Sequence, residues 1–136
     1  MFAKILLAYN GSVHSNAALR QAADLARLSN AELHILGIAV TTGAVAFAHT
    51  KGAVDIIDIE RTRIQTAVEA AAEDLTNQAL KVSYAVRRGS PAIEIVNEAI
   101  RIRADLAVLG HTDKGIISRW FQGSIGAELL SHLPCS

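Results

Sequence analysis

Two glycines and a serine near the end of the chain have the types and the spacing that suit an anion. An apolar run over residues 107–109 stops at Gly110, and after a polar, basic loop Gly123 and Ser124 open an apolar pattern with helical spacing. Glycine lets a backbone approach a ligand closely. The free N–H groups at a helix start carry partial positive charge that suits phosphate. This stretch therefore predicts an anion site made from a strand end, a turn and a helix start.

The elements that must position this stretch follow from hydrophobic patterning along the chain. Short apolar runs are typical of strands buried on both faces, and each is followed by residues with helical spacing. The predicted strands cover residues 4–9, 33–40, 81–86 and 105–109. The first predicted helix runs from a cap at Ser12 to about residue 30, and the second covers residues 55–78 after a loop over 41–52. The third begins at Pro91 with Ser90 as its cap, and the fourth covers residues 124–133.

Alternating strands and helices predict an α/β fold with one domain over residues 1–136. In such a fold the strands pair in parallel through right-handed crossovers, and helices cover both faces of the sheet. Ligands bind outside the carboxyl ends of the strands, near the point where the strand order reverses. Asn10, Ile38, Gly89 and Gly110 all lie at or just past predicted strand ends.

Composition and charge argue against several classes of function. Hydrophobic residues make up 51% of the chain, and 13 basic residues balance 13 acidic ones, so nothing favours nucleic acid as a partner. The apolar runs are too short to span a membrane, and the N-terminus lacks the pattern of a signal peptide. We therefore expect a cytoplasmic protein. The five histidines and the single cysteine do not have the spacing of a metal site, so no metal is expected.

Several motifs, taken in order, make the chain resemble the universal stress protein family. They are the opening at residues 5–12, the turn at 89–91, the strand at 104–110 and the helix start at Gly123 and Ser124. The nucleotide-binding signature of that family reads Gly, two residues, Gly, nine residues, Gly, then Ser or Thr. Gly110, Gly123 and Ser124 match it here, whereas Asp113 takes the place of the middle glycine.

The resemblance implies a Rossmann-like, adenine-nucleotide-hydrolase-like fold, a role in stress responses, assembly into dimers and, for some members, binding of ATP or AMP. The family's final strand would follow Ser136 and is not in this sequence, so an exposed sheet edge and a homo-oligomer are expected. Carried over by position, the implied nucleotide-binding residues are Ala8, Tyr9, Asn10, Ile38, Leu109, Gly110, Asp113, Gly123, Ser124 and Ile125.

Two of these residues depart from the pattern of the ATP-binding members. Asn10 stands where an aspartate is usual, so it keeps the size but lacks the charge and one acceptor. Asp113 adds a Cβ where the family pattern has a glycine, which can turn with positive φ, and it would set a carboxylate beside a phosphate. Like charges about 4 Å apart cost about 1 kcal/mol in bulk water and about 4 kcal/mol at an effective dielectric near 20. Lys114 and Arg119, in the same loop, could offset this repulsion.

Two other functions stay open at the level of the sequence. One is an interaction module that binds no nucleotide, dimerises through its sheet edge and signals through protein partners. The other is a slow ATP hydrolase, for which Asp113 is the one residue of the loop that resembles a water-activating base. No residue set in the chain has the pattern of a catalytic site, so an enzyme is not the favoured interpretation.

Overall fold

The structure, a computed structural model, describes residues 2–40 and 51–110. Within these residues strands and helices alternate along the chain. In order they are β1 (Lys4–Ala8), α1 (Val13–Ser29), β2 (Glu32–Val40), α2 (Lys51–Asn77), β3 (Val82–Gly89), α3 (Pro91–Ile102) and β4 (Leu106–Leu109). The predicted helix over residues 124–133 lies outside the described residues.

The described strands form one sheet in the order β3-β2-β1-β4, and every neighbouring pair is parallel. β1 lies between β2 and β4, so Ile5 pairs with Leu33 on one side and with Leu106 on the other. The predicted α/β class with a parallel sheet is therefore confirmed.

Both faces of the sheet are buried at its centre, which explains why β1 is a continuous apolar run rather than an alternating one. Successive side chains of a strand point to opposite faces. Ile5 and Leu7 of β1 pack with α1 and α2, whereas Leu6 and Ala8 pack with α3. Helices therefore cover both faces of the sheet, as predicted.

Small residues let the helices come close to the sheet. The face of α1 that meets the sheet carries Ala18, Ala22, Ala23 and Ala26. On β2, a Cβ at Gly37 would lie 2.6 Å from a methyl of Ile64 and 2.7 Å from a methyl of Val68, so α2 rests almost on the backbone of the strand. This contact fixes where the middle of α2 lies relative to the sheet.

Two boundaries differ from the sequence prediction by more than one residue. Helix α2 begins at Lys51 rather than 55, so the predicted loop over 41–52 is wrong at its last two residues. Gly52 costs about 1 kcal/mol in a helix, and a long helix tolerates that cost because propagation is cooperative. Strand β3 continues to Gly89 instead of ending at 86, because its partner β2 extends to Val40 and the two strands pair to their ends.

The helix ends follow local chemistry. Ser90 occupies the predicted cap position of α3, with Pro91 next to it, but its side chain makes no capping bond. The C-cap residues that follow α1 and α3 are Asn30 and Arg103, and both lie in the left-handed region, with φ of 53° and 57°. Within residues 2–40 and 51–110, no helix is both long and apolar enough to cross a membrane.

Candidate functional site

The order of the strands brings two loops together at the carboxyl edge of the sheet. From β1 the chain proceeds outward to β2 and β3, and then returns to place β4 on the other side of β1. The strand order reverses between β1 and β4, which is where ligands bind in open α/β sheets. Ala8 pairs with Leu109, so Asn10 and Gly110 follow the ends of neighbouring strands. We call this region the crevice.

The turn between β1 and α1 is held by its own polar side chains. The Oδ1 of Asn10 accepts the backbone N–H of Ser12 at 3.0 Å, which forms an Asx turn. Gly11 has φ of 81°, a left-handed conformation that favours glycine. The hydroxyl of Ser12 then caps α1 by accepting the N–H of Ser15 at 3.2 Å. The predicted cap at Ser12 is therefore confirmed, and α1 begins at the crevice.

Position 110 needs a glycine because a side chain would not fit there, and not because the backbone has a positive φ. The residue is buried, and a Cβ built on it would lie 2.8 Å from the carbonyl oxygen of His14 and 3.1 Å from the Cα of Ser15. The end of β4 thus lies against the backbone of the first turn of α1. No acidic residue occupies that first turn, so nothing within it opposes an anion at the helix N-terminus.

The other predicted site residues in the described part of the chain lie below the crevice. Ala8, Ile38 and Leu109 belong to the core on the α3 side of the sheet. The ring of Tyr9 lies in the opposite core, with α1 and α2, and its hydroxyl donates to Asn16 Oδ1 at 2.6 Å. These side chains form the floor of the crevice, and the Tyr9 hydroxyl is already engaged.

Arg63 of α2 also reaches this region, and sequence reasoning missed it. Its Nη1 donates to the backbone oxygen of Asn10 at 3.3 Å, across 53 positions of the chain. Its Nε and Nη2 donate to the two carboxylate oxygens of Glu60, at 3.1 and 2.7 Å. The hydrogen bond from Arg63 lowers the pKa of Glu60. The sequence does show a Glu and an Arg three residues apart on a predicted helix. That spacing does not predict what the pair contacts.

A second polar cluster, also missed, lies between the sheet and α3. His34 of β2 has its Nδ1 2.7 Å from the hydroxyl of Ser83 and its Nε2 2.6 Å from a carboxylate oxygen of Glu98. Glu98 also accepts from Arg101 at 2.9 and 2.7 Å and from Arg87 at 3.4 Å. The side chains of His34 and Glu98 are 6% and 3% exposed. We call His34, Ser83, Glu98, Arg87 and Arg101 together the buried network.

The protonation state of the buried network follows from its contacts. Burial raises the pKa of Glu98, but hydrogen bonds from Arg101 and His34 outweigh it and hold that pKa at about 2. Burial lowers the pKa of His34, against the opposing hydrogen bond to Glu98. A neutral His34 must then donate from Nε2 to the carboxylate, so its Nδ1 accepts the hydroxyl proton of Ser83. Every polar side chain buried within the described residues has a partner.

Four predicted site residues, Asp113, Gly123, Ser124 and Ile125, lie outside the described residues. In the part of the chain that the structure describes, no cluster of three or more His, Cys, Asp or Glu side chains could hold a metal ion.

The described part of the candidate site consists of the β1–α1 turn, the end of β4, the start of α1 and the guanidinium of Arg63.

Sequence comparison finds one family over the whole chain. The profile of the universal stress protein family matches residues 1–136. A universal stress protein of Thermus aquaticus is 29% identical over 136 residues, which cover 99% of this chain and 96% of that protein.

Solved structures of the same family share the fold. Universal stress protein UspA from Lactobacillus plantarum is 23% identical with a TM-score of 0.77, over 98% of this chain and 93% of that one. A universal stress protein in complex with cAMP is 21% identical with a TM-score of 0.67, over 99% and 94% of the two chains. A family protein from Arabidopsis thaliana with AMP bound is 15% identical with a TM-score of 0.64, over 98% and 88%.

Proposed function

The chain belongs to the universal stress protein family, and we propose that it binds an adenine nucleotide, ATP or AMP, at the crevice as part of a stress response. The observation that carries this proposal is the register of β1 with β4, by which Asn10 and Gly110 follow the ends of neighbouring strands where the strand order reverses. Two proteins with the same fold have been solved with cAMP or AMP bound, which supports an adenine nucleotide over other anions.

The chemistry of the crevice agrees with this ligand. Ala8, Ile38 and Leu109 make the carboxyl end of the sheet apolar on its α3 side, and apolar surroundings suit a base or a ribose. The start of α1 offers backbone N–H groups and a positive dipole end to a negative charge. Adenine nucleotides combine these two requirements, because they join an apolar ring to a phosphate.

Calorimetric titration of the purified protein with ATP, ADP, AMP and cAMP tests the proposal. We expect saturable binding of at least one of these nucleotides, with GTP as the control for the base. If none of the adenine nucleotides binds to the folded protein, the proposal is wrong. The chain is then better explained as an interaction module that works through protein partners.

The two departures from the family pattern should set the affinity. Asp113→Gly removes a carboxylate from beside the phosphates, and Asn10→Asp restores an acceptor. We expect the double variant to bind ATP more tightly by about 1–3 kcal/mol, mostly through Asp113→Gly. That gain should shrink at high salt, because exposed charges are screened over about 10 Å at 0.1 M ionic strength. Titration of both single variants separates the two contributions.

We also propose that the protein works as a homo-oligomer, because β3 and β4 are the edge strands of the described sheet and exposed strand edges can pair with another chain. Light scattering over a range of micromolar concentrations measures this directly. A monomer at every concentration would overturn the proposal without affecting the one on nucleotide binding.

A further inference from the structure

We infer that Arg63 is a ligand-binding residue of the crevice and contacts the phosphate of the bound adenine nucleotide. The inference rests on the proposed function and adds to it a residue from outside the family's glycine-rich motif. It starts from one contact: the guanidinium of Arg63 on α2 donates to the backbone oxygen of Asn10, directly after β1.

The packing of α2 fixes this contact in place. The residue after Arg63, Ile64, lies against Gly37 near the carboxyl end of β2. One helical turn further along, the Cβ of Ala67 would lie 3.2 Å from a Cβ added at Gly11. The helix is thus pressed against both the sheet and the β1–α1 turn within the turn of α2 that follows Arg63. Its guanidinium consequently lies at the rim of the crevice because of the fold, not because of a flexible surface arrangement.

Glu60 orients the guanidinium without using all of its donors. A guanidinium has five N–H groups, and the bonds to Glu60 and Asn10 use one each on Nε, Nη1 and Nη2. One N–H on Nη1 and one on Nη2 remain beyond these bonds. The side chain of Arg63 is 53% exposed, so a ligand can reach it. N–H groups held in the plane of a guanidinium match the oxygens of a phosphate, which is why arginine recurs at phosphate sites.

The start of α1 lies next to the same turn and has the same electrostatic preference. Its cap, Ser12, is two residues after Asn10, and its first turn carries no acidic side chain. Arg63 and the helix N-terminus therefore both favour negative charge beside the β1–α1 turn. An arginine that served only the helix surface would pair with Glu60 and would not reach Asn10.

Titration of Arg63→Gln with AMP, ATP and adenosine tests the inference. We expect the variant to lose about tenfold to a hundredfold in affinity for AMP and ATP, as is typical of a hydrogen bond to a charged group. Its affinity for adenosine, which has no phosphate, should stay within about twofold. Arg61→Gln is the matched control, because Arg61 is exposed on the same turn of α2 but points to a different side of the helix. It should bind all three ligands like the wild type.

The outcomes separate the inference from the proposal on which it rests. If the wild type binds AMP and Arg63→Gln binds it equally well, the inference is wrong and the proposed function stands. An equal loss for adenosine and AMP would also overturn it, because Arg63 would then be shaping the turn rather than contacting phosphate. If the wild type binds no adenine nucleotide, both fail. Circular dichroism confirms that each variant is folded.

Discussion

A glutamate followed three residues later by an arginine occurs on two helices of this protein, in two different settings. On α2, Glu60 accepts from Arg63 at 3.1 and 2.7 Å, and on α3, Glu98 accepts from Arg101 at 2.9 and 2.7 Å. The Glu60 side chain is 43% exposed, whereas that of Glu98 is 3% exposed. The bonds are nearly the same in length and the two arginines are similarly exposed, so the difference between the pairs is the burial of the glutamate.

Burial decides what each pair can do. An exposed ion pair contributes only about 0–1 kcal/mol to stability, and the guanidinium of Arg63 stays accessible to a ligand. Glu98 is bonded to His34 as well as to Arg101, and a buried charge that loses its partners is strongly destabilising. The same two residue types therefore take part in ligand binding at the crevice and stabilise the fold in the buried network.

Removing each glutamate gives the largest expected contrast. Glu98→Ala leaves the Nε2 donor of buried His34 without its acceptor, so we expect the free energy of unfolding to fall by about 3 kcal/mol. Glu60→Ala is the matched control and should change that free energy by less than about 1 kcal/mol. Urea unfolding followed by circular dichroism measures both. Similar losses in the two variants would contradict the assignment of cohesion to the buried pair.

A methyl group at Gly110 tests how tightly the crevice is built. In Gly110→Ala the new Cβ would meet the carbonyl oxygen of His14, and backbone cannot move aside as a side chain can. We expect a loss of about 1–3 kcal/mol in unfolding free energy, the range for overpacking, together with weaker nucleotide binding. Urea unfolding and titration measure these effects. An unchanged stability would mean that the first turn of α1 shifts freely, and that the crevice is softer than the buried network.

Acid should weaken the buried network in two stages. Burial lowers the pKa of His34 below its ordinary 6.5, so the folded state binds fewer protons than the unfolded state as the pH falls through 6.5. Stability is therefore full above that pH and declines below it. The contribution of Glu98, whose pKa is about 2 against an ordinary 4.5, is lost only as the pH falls from 4.5 toward 2.

Unfolding measured from pH 8 to pH 5 checks the first stage. The wild type should lose stability over this range, and His34→Gln should lose less, because it has no imidazole to protonate at that position. If both proteins show the same slope, the loss comes from other groups and the buried network is not sensitive to mild acid.

The smallest effect is expected at Asn10. Its Oδ1 accepts the N–H of Ser12, and an aspartate would offer an oxygen at the same place, so Asn10→Asp should change stability by less than about 0.5 kcal/mol. Asn10→Ala, the control, removes the acceptor and should cost about 1 kcal/mol. Thermal unfolding distinguishes the two. A large loss in Asn10→Asp would show that the added charge, and not the turn, governs this position.

The two regions differ in how far the sequence predicts them. Apolar runs such as residues 5–8 predict buried strands, and the glycines and polar residues that follow predict a ligand edge, because these signals are local. The contact between Arg63 and Asn10 could not be predicted, because it depends on where α2 rests on Gly37. The buried network could not be predicted from the sequence either. Nothing local distinguishes Glu98, buried against a histidine from another element, from an ordinary glutamate on the outside of a helix.

The position of β4 beside β1 also has a consequence for how the protein folds. The carboxylate of Asp105, just before β4, accepts the backbone N–H groups of Ala3 and Lys4, and Ala3 is 102 positions away in the chain. Contacts at such separation form late, because the entropy of closing the long loop must be overcome first. During synthesis, the β1–β2 pair can form long before the ribosome releases β4. The crevice therefore cannot form before β4 has been synthesised. A ligand that binds there stabilises only chains in which β4 has paired with β1.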